Sequence, residues 1–129
     1  VDAWLATQQE RYRKYGFGLW GVVLKQENVL IGQCGLTMQD IGGREVLEIG
    51  YLFQKQYWHN GYAIESARAC KQYAFETLGA NEVFSLVRDS NASSQKVAVR
   101  NGMCEVGELV KHYHGVDMPH IIYSVKKDA

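Results

Sequence analysis

Glu45 to Ala80 constrains this chain more than any other stretch, because it reads as strand, tight turn and long helix in one segment. Val46 to Phe53 is an apolar, aromatic run broken only by Glu48 and Gly50. Ile64, Ala67, Cys70, Ala74 and Leu78 then recur at helical spacing, so the pattern switches from strand to helix across Trp58-His59-Asn60-Gly61-Tyr62-Ala63. A glycine at the mouth of a helix lets a ligand come close to the backbone, and the first-turn amides, which have no acceptor inside the helix, point at whatever sits there. Such an end binds anions. A glycine that merely turns the chain is the plainer alternative.

A chain of 129 residues is expected to form one domain, residues 1–129. Its 14 basic and 14 acidic residues cancel, so the balance calls for neither nucleic acid nor an anionic membrane as partner. Cys34, Cys70 and Cys104 are odd in number and set among apolar residues, which suits reduced core thiols in a cytoplasmic protein better than a disulfide framework. No apolar run reaches the roughly 20 residues of a membrane span, and no signal peptide is expected.

Asp2 to Tyr15 reads as a helix capped by Asp2. Gly16-Phe17-Gly18-Leu19-Trp20-Gly21 matches the G-x-G-x-x-G string of dinucleotide folds, but that fingerprint needs a strand before and a helix after. Here a helix precedes it and the strand pattern Val22-Val23-Leu24 follows, so the glycines end one element and begin another. Trp20 to Leu24 and Val29 to Met38 pair antiparallel about Lys25 to Asn28, and Gln39 to Arg44 turns the chain into the central strand. Gly50 is expected to permit a bulge or a close ligand approach. Gly79 stops the long helix, and the apolar Val83 to Val87 follows as a strand that a right-handed crossover sets parallel to the central one. Asn91 caps a helix running to Asn101 and stopped by Gly102. Cys104 to His114 and Met118 to Val125 form a last hairpin about Gly115-Val116-Asp117, with Pro119 marking an edge or irregular start. The result is an α+β layout with a mixed central sheet: an antiparallel meander, a parallel crossover strand and a C-terminal hairpin. His112, His114 and His120 lie on that hairpin at a spacing that matches no standard zinc pattern.

Two motifs carry a family resemblance. Trp58 to Ala63 resembles the pyrophosphate loop of the GNAT N-acetyltransferases, the acyl-CoA N-acyltransferase fold, with Gly61 and Ala63 on its small-residue positions and Trp58 where many relatives carry Gln or Arg. Asn91-Ala92-Ser93-Ser94-Gln95-Lys96-Val97-Ala98-Val99-Arg100-Asn101-Gly102-Met103 is similar to the Asn-x-x-Ser helix of the RimJ/RimL-like branch, with Met103 for an aromatic. The likeness runs from about Phe17 to Val125. It implies a first strand and helix that this sequence lacks, so the domain is expected to be N-terminally incomplete. The strand Trp20 to Leu24 would then be an open edge, which is expected either to self-associate, as in a homodimer, or to be covered by the first strand of a longer native protein.

The resemblance implies acetyl-CoA as cosubstrate and an amine acceptor, either a small molecule or a peptide: a protein N-terminus, a polyamine, an amino acid or a drug. Trp58, His59, Asn60, Gly61, Tyr62 and Ala63 would hold the pyrophosphate, through amides each worth roughly 1.5–3 kcal/mol to a charged group. Asn91 would contact the pantetheine arm while capping its helix. Lys96 and Arg100 would meet the adenosine phosphate, or stand as solvated charges. Glu48, the only carboxylate inside the central strand, would be the general base, its pKa raised by burial; the alternative is an acid on an open strand face. Amides near Tyr51 and Leu52 would face the thioester oxygen. Where many relatives place a Tyr acid this chain has Ala98, and Ser94 is the substitute the branch suggests, against an ordinary helix-surface serine. A non-catalytic acyl-CoA-binding module is the rival reading.

Overall fold

The computed structural model describes residues 19–24, 29–53, 61–113 and 115–127. The helix expected over Asp2 to Tyr15, the loop Lys25 to Asn28, Trp58, His59, Asn60 and His114 lie outside them.

Six strands form one mixed sheet. β1 (Leu19–Leu24), β2 (Val29–Ile41) and β3 (Arg44–Phe53) are an antiparallel meander, and helix α1 (Tyr62–Glu76) then crosses to β4 (Glu82–Arg88), which pairs parallel to β3. Helix α2 (Ala92–Arg100) leads to β5 (Cys104–Tyr113) and β6 (Val116–Lys126). The spatial order is β1-β2-β3-β4-β6-β5, since the last strand inserts antiparallel between β4 and β5. This is the expected α+β arrangement.

Alternation along the strands divides the core in two. On one face, Leu36, Ile49, Val83, Val87, Tyr123 and Val125 pack against Ala67, Cys70 and Ala74 of α1 and Ala98 of α2. Val46, Phe84 and Ile122 form a smaller cluster on the other face, with Leu109 packed against it. The stripe that makes α1 a helix is the stripe it buries: Ile64, Ala67, Cys70 and Ala74. Leu78, expected to continue it, follows the helix end, and Gly79 takes φ 72° in the turn. The buried Cys34 and Cys70 thiols, 3.5 Å apart, join β2 to α1 as free core cysteines. Asn101 locks α2 to α1, its side-chain Nδ2 donating to Ala67 O (3.2 Å) while its backbone carbonyl accepts from Lys71 Nζ (2.7 Å).

Several boundaries differ from expectation. The turn expected over Gln39 to Arg44 shrinks to Gly42-Gly43, because Gln39, Asp40 and Ile41 pair with Val46, Glu45 and Arg44. Both glycines have positive φ, as a two-residue hairpin turn needs. No bulge forms between β2 and β3 at Gly50, where the register runs unbroken through Gly35. Val116 and Asp117, expected in the last turn, belong to β6 and pair with Tyr113 and His112. Pro119 sits in an inner strand, yet β4 ends its pairing one residue away at Arg88 and His120, so no ladder there needs the missing N–H.

Candidate functional site

A cleft of about 260 Å³ opens between the end of β3, the N-terminus of α1 and the exposed side of α2. Gly61 is the α1 N-cap at φ 81°, a left-handed conformation that suits glycine, and no side chain caps the helix. The first helical bond runs from Glu65 N–H to Gly61 C=O (3.0 Å), so the Ala63 and Ile64 amides precede the ladder and have no acceptor within it. Lys96 and Arg100 stand on the α2 wall, and Phe53, Ile64 and Val97 supply apolar surface. A positive helix end, two cations and an apolar channel together suit a phosphorylated ligand with a long organic arm.

Asn91 caps α2 by accepting Ser94 N–H (3.0 Å), and it lines the cleft at the same time. Tyr51 reaches across from β3 to donate its hydroxyl to Ser94 C=O (2.8 Å), which ties the helix to the strand. Burial pushes the Tyr51 phenol up to about 12, so it stays a neutral donor at any ordinary pH. The Ser94 hydroxyl bonds no other described residue.

A second cleft, of about 170 Å³, adjoins the first where β3 and β4 part. These strands share a single pair, Glu48 with Phe84. Beyond it Tyr51, Asn91 and Ser94 line both clefts, so the helix-mouth cleft and the gap share a wall. Glu48 lies on the wall of this gap, only 8% exposed, and its Oε2 accepts Leu86 N–H (2.8 Å). Burial pushes the carboxyl above the usual carboxylate range, partly offset by the Leu86 bond and by the charge of Lys111. The open-face alternative for Glu48 is thereby excluded. Ser85, 3% exposed, donates its hydroxyl to Ile49 C=O (2.9 Å). The Ile49 carbonyl thus faces β4, and alternation turns the Tyr51 N–H to the same edge, where no strand pair follows. Leu52 lines the cleft, but the same alternation turns its amide toward β2, so of the two expected amides only that of Tyr51 faces the gap.

Of the expected residues, Tyr51, Leu52, Gly61, Tyr62, Ala63, Asn91, Ser94, Lys96 and Arg100 converge on the first cleft, and Glu48 joins Tyr51, Asn91 and Ser94 at the second. Ala98 is instead part of the core. Sequence reasoning missed Ser85, because a serine in an otherwise apolar strand has no visible partner until β3 is placed beside it. His112 bonds Asp117 (2.6 Å) on the exposed hairpin, away from both clefts. Among the described residues no group of three or more His, Cys, Asp or Glu is arranged to hold a metal ion, and no helix is long and apolar enough to cross a membrane.

Known proteins resemble this chain in sequence and fold. The chain is 38% identical over 100 residues to the uncharacterized protein YkkB of Bacillus subtilis, covering 78% of this chain and 58% of that one. It also superimposes on a GNAT-family acetyltransferase from Bacillus anthracis with a TM-score of 0.72 and 26% identity, covering 86% and 67% of the two chains. The ribosomal-protein-S5-alanine acetyltransferase of Vibrio fischeri shares the fold, with a TM-score of 0.81 at 21% identity over 96% and 69%. The chain spans a little over half the length of YkkB and of the uncharacterized N-acetyltransferase YnaD of Bacillus subtilis, 58% and 52%. The acetyltransferase (GNAT) domain model matches residues 1–104, which takes in β3, the helix mouth at Gly61 and the Asn91 cap, and on that match the chain belongs to the GNAT acetyltransferase domain family.

Proposed function

We propose that the protein is an acetyl-CoA-dependent N-acetyltransferase of the RimJ/RimL-like branch, which moves the acetyl group to a primary amine by direct attack. The observation that carries this is the joining of the two clefts: an anion-binding helix mouth and a buried carboxylate open onto one gap, with Tyr51, Asn91 and Ser94 common to both. The fold shared with a ribosomal-protein acetyltransferase supports the branch.

Each residue has a role that its position supports. The Ala63 and Ile64 amides, with Lys96 and Arg100, hold the phosphates; Phe53, Ile64 and Val97 flank the pantetheine arm; Asn91 orients it. Tyr51 N–H stabilises the oxyanion that develops as the amine nitrogen attacks the thioester carbon. Glu48 takes the proton the amine sheds, and its raised pKa brings it nearer the working range of a base. The Ser94 hydroxyl meets the departing sulfur, for which a hydrogen bond is enough, since a thiol of pKa about 8.5 leaves as thiolate without full protonation. None of Cys34, Cys70 and Cys104 lines either cleft, so no thiol stands there to form a cysteine acyl-enzyme, in keeping with direct attack. The three free thiols fit a reducing, cytoplasmic setting.

Thiol release from acetyl-CoA against a panel of N-terminal peptides, polyamines, amino acids and aminoglycosides tests this reading. The expected result is release with at least one acceptor and near-complete loss in Glu48→Gln. CoA binding with no release on any acceptor would leave the acyl-CoA-binding module instead.

A further inference from the structure

The parting of β3 and β4 is built by an exchange of hydrogen-bond partners. Since Ile49 faces β4, the one ladder pair runs from Phe84 N–H to Leu47 C=O and from Ile49 N–H to Phe84 C=O, and an unbroken parallel ladder would next join Leu86 N–H to Ile49 C=O. Those two groups have different partners here. Leu86 N–H donates to the Glu48 carboxylate at 2.8 Å, and Ile49 C=O accepts from the Ser85 hydroxyl at 2.9 Å. Each strand thus lends one buried side chain to the backbone group that the other has lost, so both groups are satisfied without the strands zipping together.

We propose that Glu48 and Ser85 form a reciprocal clamp that holds β3 and β4 apart from the Leu86 level onward, and that Ser85 is thereby a positioning residue for the reaction. Without the Ser85 hydroxyl, Ile49 C=O is left buried and unpaired, which is costly enough to draw Leu86 N–H back into the ladder. The strands then close by one step, and the next bond of the closed ladder is Tyr51 N–H to Leu86 C=O. That bond consumes the amide assigned to the oxyanion and narrows the gap, while the phosphate end of the cleft, at α1 and α2, is untouched. The catalytic consequence rests on the acetyltransferase reading; the clamp itself does not.

Amide hydrogen exchange by NMR, together with steady-state kinetics on the same full chain, tests both parts. In Ser85→Ala the Tyr51 amide should exchange at least about 10-fold more slowly than in the wild type, as expected of a newly paired strand amide. Its kcat should fall about 100-fold, the scale for losing one oxyanion donor. CoA affinity should stay within about 2-fold, since the phosphate contacts remain. Ser85→Thr, which keeps the hydroxyl, should restore wild-type exchange and turnover. Leu86 should stay paired in Glu48→Gln, whose amide oxygen still accepts and leaves Tyr51 exchange as in the wild type, whereas Glu48→Ala should free Leu86 N–H for the Ile49 carbonyl and slow the Tyr51 amide as Ser85→Ala does. A Ser85→Ala protein with wild-type Tyr51 exchange and wild-type kcat would overturn the clamp. Should that variant not fold, equal Tyr51 exchange in Glu48→Gln and Glu48→Ala would overturn it equally. If the wild type acetylates no amine, the acetyltransferase reading fails alone, and the exchange data still decide the clamp.

Discussion

Asn91 holds two jobs that a pair of substitutions can separate. Its side chain caps α2 through the 3.0 Å bond from Ser94 N–H, and it borders both clefts. Removing an N-cap acceptor costs about 1 kcal/mol. For a domain of 129 residues that amounts to a fall in melting temperature of about 4 °C, which is the expectation for Asn91→Ala. Asp caps as well as Asn, so Asn91→Asp should melt within about 1 °C of the wild type. Ligand affinity should run the other way. Ala forfeits one neutral hydrogen bond of about 1 kcal/mol, or roughly 5-fold in Kd for CoA. Asp forfeits the same donor and adds a negative charge beside a polyanion, about 1 kcal/mol more at 4 Å in water, for a total near 30-fold. Scanning fluorimetry and titration calorimetry read the two quantities separately. Wild-type CoA affinity in Asn91→Asp would refute the ligand role and leave Asn91 as a cap alone.

Other positions give equally definite expectations. Gly61→Ala puts a Cβ on a residue at φ 81°, where no described atom lies within 4 Å, so the cost should be left-handed strain of about 1–2 kcal/mol, seen as a lower urea midpoint with an unchanged m-value. Gly32→Ala is a different case, because its Cβ would lie 2.5 Å from Leu52 O and 2.7 Å from the Phe53 ring. It should cost about 1–3 kcal/mol by overpacking and disturb the cleft wall that Phe53 forms, and a melting temperature equal to wild type would contradict the close approach of β2 to β3. Glu48, pushed up by burial, holds its proton to higher pH in the folded than in the unfolded chain. Stability from the neutral carboxyl is therefore present at low pH and lost as pH rises through the folded value. Glu48→Gln, neutral throughout, should gain stability relative to wild type as the pH is raised from 4 to 8 in melting experiments, and a pH-independent difference would mean that the carboxyl is not perturbed.

Periodicity revealed the parts of this molecule whose pattern is enforced by burial. The α1 stripe of Ile64, Ala67, Cys70 and Ala74 and the apolar β4 are visible because a core tolerates little else at those positions. Where the chain leaves the core, composition misleads. Gln39 and Asp40 look like loop residues yet continue the β2–β3 ladder toward its turn, and Asp117 does the same on the last hairpin, because ladder bonds depend on backbone and not on side-chain polarity. The cleft residues were recoverable since glycine, the Asn cap and the two cations each carry a local signature. The partnership of Ser85 with Ile49 and of Glu48 with Leu86 has none: it joins residues 36 and 38 positions apart, and exists only once two strands lie side by side and then separate.

The most direct test of the central claim is an NMR titration of the full chain with acetyl-CoA, following backbone amide shifts. Saturable perturbations should concentrate at Tyr51, Gly61, Ala63, Ile64 and Ser94, with the Tyr51 amide moving more for acetyl-CoA than for CoA because only the former brings a thioester oxygen to the gap. Shifts that cluster on the β5–β6 hairpin instead, or no saturable shift at millimolar ligand, would contradict the assignment of the joined clefts as the acetyl donor site.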